Sequence, residues 1–276
     1  PEAETLTEGV IPTGQKLSMS SMTQDIVQKG LYVTISDQLE LHAIDNAILG
    51  ATEELGASGG MSVDKMVRNE VVGGTVKQLC DKVNATTGVH TEVTTRSGMD
   101  TTSVLTPTEV NKAVTTLKKM HAPTINGKYV AVIHPSVAYD LRQSKEWIEA
   151  HKYAATTEMF NGEIGELHGV RFIESTNQKI WNDSTCPVKT EAASGNPAVY
   201  YSVYATLVMG KDAFAMIDPD GGNMEMIVKT KDEAGGPLNQ FSTVGYKYEG
   251  AAKILYEDRM VRIESLSAYS ATDSAN

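Results

Sequence analysis

Between Gln24 and Asp37 the apolar residues Ile26, Leu31, Val33 and Ile35 fall in alternation with polar ones, after a break at Gly30. A period of two belongs to a strand whose faces see different surroundings. From Gln38 the period changes: Leu41, Ile44, Ile48 and Leu55 follow helical spacing, and Met61, Met66 and Val67 continue it to Val72. The pattern predicts one long helix from Gln38 to Val72, stopped by Gly73 and Gly74. Gly56, Gly59 and Gly60 each lower helix propensity by about 1 kcal/mol, so the helix needs outside packing and is expected to kink there. Ahead of the strand, residues 1–25 are rich in Thr, Ser, Gly and Pro and show no helical period. They predict an extended arm or hairpin without a core of its own.

Residues 75–105 form a polar, Thr-rich connection with no assignable period. A helix start follows, with Thr106 as N-cap, Pro107 at the first helical position and Glu109 three residues on, as in a capping box. Val110, Val114 and Leu117 make its apolar stripe, and Pro123 closes it. GKYVAVIHP, Gly127 to Pro135, predicts a buried strand leading into a helix with Val137, Ala138 and Leu141. Trp147, Ile148 and Tyr153 suggest a further helical piece ended by Asn161 and Gly162, and Gly169 to Ser175 alternates as a strand. Further strands are expected at Ala198 to Val208, Met224 to Lys229, Thr243 to Leu255 and Met260 to Leu266. Helices and strands mix without regular alternation, so the fold class is α+β.

Composition narrows the function without naming it. The 276 residues carry 35 acidic and 24 basic side chains, a net charge of −11, which argues against a surface built to grip phosphates broadly. Cys80 and Cys186 cannot make a disulfide framework and predict a reducing compartment. The longest apolar stretch, Val199 to Met209, is interrupted by Ser202 and Thr206 and is too short to cross a bilayer. Pro1, Glu2 and Glu4 do not begin a secretory signal, and a leading proline predicts that residues once preceded it.

Candidate chemistry is sparse. His42, His90, His121, His134, His151 and His168 show no ligand spacing, so neither a metal nor another cofactor is expected. DPDGGNME, Asp218 to Glu225, has the acids and glycines of a calcium loop but not its ligand order; it is expected to be a tight turn between two strands, with Pro219 and Gly221 as turn residues. GEIGELHG, Gly162 to Gly169, spaces its glycines wrongly for a dinucleotide and leads into a strand. Neighbouring acids such as Glu53 and Glu54, or Glu257 and Asp258, suit a solvated face. The chain is expected not to be an enzyme; a hydrolase or ligand-binding protein built around His134 and Asp140 is the alternative from another class.

Four segments in order carry a resemblance: LTEGVIPTGQKLS from Leu6 to Ser18, KYVAVIHPSVAYDLR from Lys128 to Arg142, FNGEIGELHGVRFIES from Phe160 to Ser175, and GGPLNQFSTVGYKYEGAAKILYEDRMVRIES from Gly235 to Ser265. Together they resemble the major capsid proteins of tailed bacteriophages, in the branch of the N4-type podovirus capsid protein, built on the Johnson (HK-97-type) fold. That resemblance implies residues 1–37 as part of an extended loop and the start of a peripheral domain, and 38–105 as the peripheral domain with its spine helix. It implies 106–239 as an axial domain, and 240–276 as return strands of the peripheral sheet and a tail. Thr7, Glu8, Gly9, Val10, Pro12, Gly14 and Lys16 would then contact a neighbouring subunit. Some relatives weld subunits through a lysine on this loop; Lys16 is suitably placed, but no acceptor pattern accompanies it. The implied function is self-assembly into hexamers and pentamers of an icosahedral head enclosing double-stranded DNA without sequence-specific contact. Portal, scaffolding and decoration proteins are the implied partners, no membrane is involved, and assembly takes place in the host bacterial cytoplasm. An encapsulin-type compartment is the alternative within the same fold.

Overall fold

The computed structural model describes residues 5, 8–9, 11, 21–42, 46–84, 86–145, 147–148, 165–191, 197–219, 223–234 and 238–276. The expected first strand is present as β1, Val27–Ser36. The helix after it is two helices, α1 (Asp37–His42) and α2 (Ala47–Val71). Asn46 makes the break: its Oδ1 accepts from the amides of Ile48 at 3.1 Å and Leu49 at 3.2 Å, which starts a new helix. Helical structure then runs unbroken through Gly56, Gly59 and Gly60. Packing compensates the weak propensity, because Gly59 lies against Met224 and Tyr246, where a Cβ would stand 2.7 Å from Met224 Sδ.

The connection after α2 contains three short strands, β2 (Lys77–Leu79), β3 (Lys82–Val83) and β4 (His90–Thr91), and β3 pairs with β4. Next come α3 (Pro107–Lys119), β5 (Tyr129–Ile133) and α4 (Pro135–Gln143), close to their expected bounds. Thr106 Oγ1 caps α3 by accepting from Glu109 N at 3.4 Å. The reciprocal half of the capping box is replaced, since Glu109 turns its carboxylate to Gln78 and Lys112. Trp147 is buried, while Tyr153, Asn161 and Gly162 lie outside the described residues. The chain continues through β6 (Gly165–Leu167), β7 (Val170–Glu174), β8 (Ile180–Trp181), β9 (Val188–Thr190), β10 (Val199–Tyr200) and β11 (Val203–Met209). The strand expected at 198–208 is thus divided. At the division Tyr201 N donates to Pro187 O and Ser202 N to Ala271 O, outside the ladder that β11 then joins. The last strands are β12 (Phe214–Ile217), β13 (Glu225–Lys229), β14 (Phe241–Ile254) and β15 (Met260–Ser265).

Two sheets organise the molecule. In the first, β14 is flanked by β1, in unbroken antiparallel register from Val27↔Gly250 to Ser36↔Phe241, and also pairs with β12 and β13. β12 and β13, which flank 218–224, both run antiparallel to β14; Gly221 of the turn expected between them lies outside the described residues. α2 packs on this sheet through Leu55, Ile48, Val63 and Met66, against Ile35, Val244, Tyr246 and Tyr248.

The second sheet has the order β2-β15-β11-β5-β7-β6, with β8 also on β11. The pairs β2–β15 and β5–β7 are parallel. Val110, Val114 and Leu117 of α3 and Val137 and Leu141 of α4 share a core with Ile133, Phe172, Tyr204 and Ile263. β15 joins this second sheet, whereas β12 and β13 pair with β14. The α+β class itself is as expected.

Candidate functional site

β1 is the feature that a self-contained molecule does not explain. Residues opposite one another in an antiparallel pair share a face. Leu31 and Val33 stand across from Tyr246 and Val244, on the side that α2 covers. Yet the helix encloses only the Ile35 end: Leu31 is 49% and Val33 43% exposed, against 3% for Ile35. Val27, at 53%, extends that face along the strand, Tyr32, at 70%, is exposed on the opposite face, and Leu39 and Leu41 of α1 are exposed as well. Among the described residues β1 pairs only with β14, and none of them pairs with its outer edge. A ten-residue apolar edge strand is a ready template for another chain.

The seven residues expected to touch a neighbour divide between two groups. Glu8 and Gly9 form an exposed turn, and Gly9 adopts φ +82° with open space around it. Ile11, two residues on, is 93% exposed. Thr7, Val10, Pro12, Gly14 and Lys16 lie outside the described residues.

His134 and Asp140, the candidates for a hydrolase site, hold the fold together. His134 is the N-cap of α4, its Nδ1 accepting from Ser136 N at 3.2 Å. Burial pushes its pKa below the usual histidine value, and the Asp273 carboxylate partly opposes this. Asp140 Oδ2 accepts from Ala268 N at 3.0 Å, which pins the C-terminal segment to α4; burial raises its pKa. The same segment is fastened at Asp273, whose carboxylate accepts from Tyr204 Oη at 2.6 Å and whose carbonyl accepts from Ser202 Oγ at 2.7 Å. Asp273 is held below the usual carboxylate range: burial opposes its charge, but the hydrogen bonds from Ser270 and Tyr204 outweigh it.

One constellation had no sequence signal. Asp81, His90 and Glu109 each bring a ligand-type atom within 4.8 Å of the others. Their chain positions fit no metal motif, because the β3–β4 hairpin and the packing of α3 on the sheet bring them together.

A mixed-sheet body whose strand β1 leaves Leu31 and Val33 half exposed beside a buried Ile35 has the form of a subunit that completes its burial in an assembly. The chain belongs to the phage capsid protein family, whose pattern it matches over residues 21–263. No curated protein matches it in sequence. Its fold is similar to the capsid of Ralstonia phage GP4, with a TM-score of 0.59 at 15% identity over 91% of this chain and 75% of that one. It is also similar to the capsid of cyanophage P-SCSP1u, with a TM-score of 0.54 at 15% identity over 96% and 82%. The holo-SrpI encapsulin of Synechococcus elongatus PCC 7942 shares the fold at a TM-score of 0.51 and 10% identity, over 91% and 77%. The fold is the HK-97 type, and the protein is a structural subunit of a phage head, a multi-subunit shell.

Proposed function

We propose that copies of this chain form hexamers and pentamers that close into an icosahedral head around double-stranded DNA, assembled in the host bacterial cytoplasm. The observation that carries this reading is the exposed apolar edge at Val27, Leu31, Tyr32 and Val33, a surface that an isolated subunit leaves wet. Residues 1–37 serve as part of an extended loop and the start of the peripheral domain, the loop reaching onto a neighbour through Thr7, Glu8, Gly9, Val10, Pro12, Gly14 and Lys16. Residues 38–105 are the peripheral domain, 106–239 the axial domain around capsomer centres, and 240–276 the returning strands and tail. Heterologous contacts of this kind close into rings, and rings into a shell. Specific interfaces bury roughly 1,600 Å² in total, and an arm laid over a neighbour adds area that a compact body lacks. The net charge of −11 suits a wall that does not trap the packaged polyanion. Portal, scaffolding and decoration proteins are its further partners, and the N4-type branch is where it belongs among tailed phages.

Deleting Leu6 to Ser18 leaves a folded subunit that forms no closed particles in electron micrographs of expressing cells; normal shells from the deletion would end the arm's role. The likeness to an encapsulin supports a second reading, a compartment that houses protein cargo. Particles purified from the native source that contain DNA favour the head, and particles filled with one enzyme favour the compartment.

A further inference from the structure

We infer that Asp81, His90 and Glu109 form a binding site for a first-row divalent transition-metal ion, zinc-like or manganese-like, a position the Lys112 ammonium takes when no ion is bound. The donor set decides the class of ion. One imidazole with two carboxylates suits zinc, manganese or cobalt, whereas calcium and magnesium favour oxygen alone. The three donors lie within 4.8 Å of one another, and bonds of about 2.0–2.2 Å to one ion require their side chains to turn further inward.

Burial separates this cluster from ordinary surface acids. Asp81 is 9% and Glu109 2% exposed, so water solvates both carboxylates poorly. Gln78 Nε2 donates to Glu109 Oε2 at 2.7 Å, which orients the second oxygen, Oε1, toward Lys112. Lys112 Nζ marks the cation position: it donates to Asp81 Oδ2 and, at 3.0 Å, to Glu109 Oε1. Two carboxylates facing one ammonium leave a negative charge in a poorly solvated place, and a dication neutralises both.

Exchange is sterically open. The Lys112 side chain is 44% exposed on α3 and can withdraw into water. A cleft of about 830 Å³ is lined by Gln78, Asp81, Asn111 and Lys112, though by neither His90 nor Glu109, and so reaches the site from the side of Asp81 and Lys112. His90 stands on the short β3–β4 hairpin, with Nδ1 4.0 Å from Asp81 Oδ2. A bound ion therefore ties that hairpin to α3, stiffening the subunit where the connection 75–105 meets the helical layer.

The test uses tag-free, chelator-stripped full-length protein, with thermal unfolding and isothermal titration against zinc or manganese chloride. Either ion raises the unfolding midpoint of the wild type, and Lys112→Met, which removes the competing ammonium, binds about tenfold more tightly. His90→Ala alters an exposed ring and so still folds, and it loses the response. Absence of any response in both wild type and Lys112→Met overturns the site, as does a His90→Ala response equal to that of the wild type or an equal response to magnesium. None of these outcomes depends on whether the chain closes into shells.

Discussion

Arg96 holds Glu264 with two charge-assisted hydrogen bonds, Nε to Oε2 at 2.8 Å and Nη2 to Oε1 at 2.9 Å, around a carboxylate side chain only 2% exposed. Arg262 Nε adds a third at 3.0 Å, and its Nη1 also reaches the carbonyls of Val72 and Gly74 at the end of α2. The Trp181 ring lies 4.0 Å from the Arg96 guanidinium. One buried carboxylate thus joins the 75–105 connection, the second sheet and the end of α2. Replacing it strands two guanidinium groups in a poorly solvated place, so Glu264→Gln should destabilise the subunit by about 3 kcal/mol. Urea unfolding monitored by circular dichroism measures this, and a change below about 1 kcal/mol contradicts the central role.

Tyr32 should separate folding from assembly. Its side chain is 70% exposed, so Tyr32→Glu leaves the melting temperature within a few degrees of the wild type. Sedimentation velocity then shows small species in place of particles, because a charge has entered an apolar contact. Wild-type particles from Tyr32→Glu would place the contact elsewhere.

Two glycines should respond in opposite directions. A Cβ on Gly245 would lie 2.8 Å from Tyr32 Cβ and 3.0 Å from the Leu31 carbonyl, so Gly245→Ala forces the β1–β14 pair apart and lowers the melting temperature. Gly60 has open space around the same position, so Gly60→Ala stabilises the isolated subunit by about 0.5–1 kcal/mol through helix propensity. Calorimetry of both variants provides the comparison.

Acid should weaken the cap at His134. Burial lowers its folded pKa beneath the ordinary histidine value of 6.5, so below that pH the unfolded chain takes up a proton that the folded chain resists. Stability therefore falls as pH drops from about 6.5 toward the folded pKa. His134→Asn keeps an N-cap acceptor for Ser136 N and removes the titration. Its melting temperature should lose the part of the wild-type pH dependence that falls in this window; identical profiles would refute the assignment.

Local order was legible wherever a short stretch of chain determined it. Thr106 and Pro107 mark the start of α3, His134 and Pro135 the turn from β5 into α4, and the alternation of Val244, Tyr246 and Tyr248 a strand, because caps and periods act over a few residues. The family resemblance lay in longer segments in order, and family membership over residues 21–263 agrees with it. The break at Asn46 was hidden by an apolar spacing, Leu41, Ile44 and Ile48, that continues across it. Tertiary structure alone decided that Lys77–Leu79 would pair with Arg262–Glu264, that Arg96 would meet Glu264, and that Asp81, His90 and Glu109 would converge. Such pairings depend on which sheet each strand joins, and that choice is made by burial summed over the whole molecule, which no local window contains.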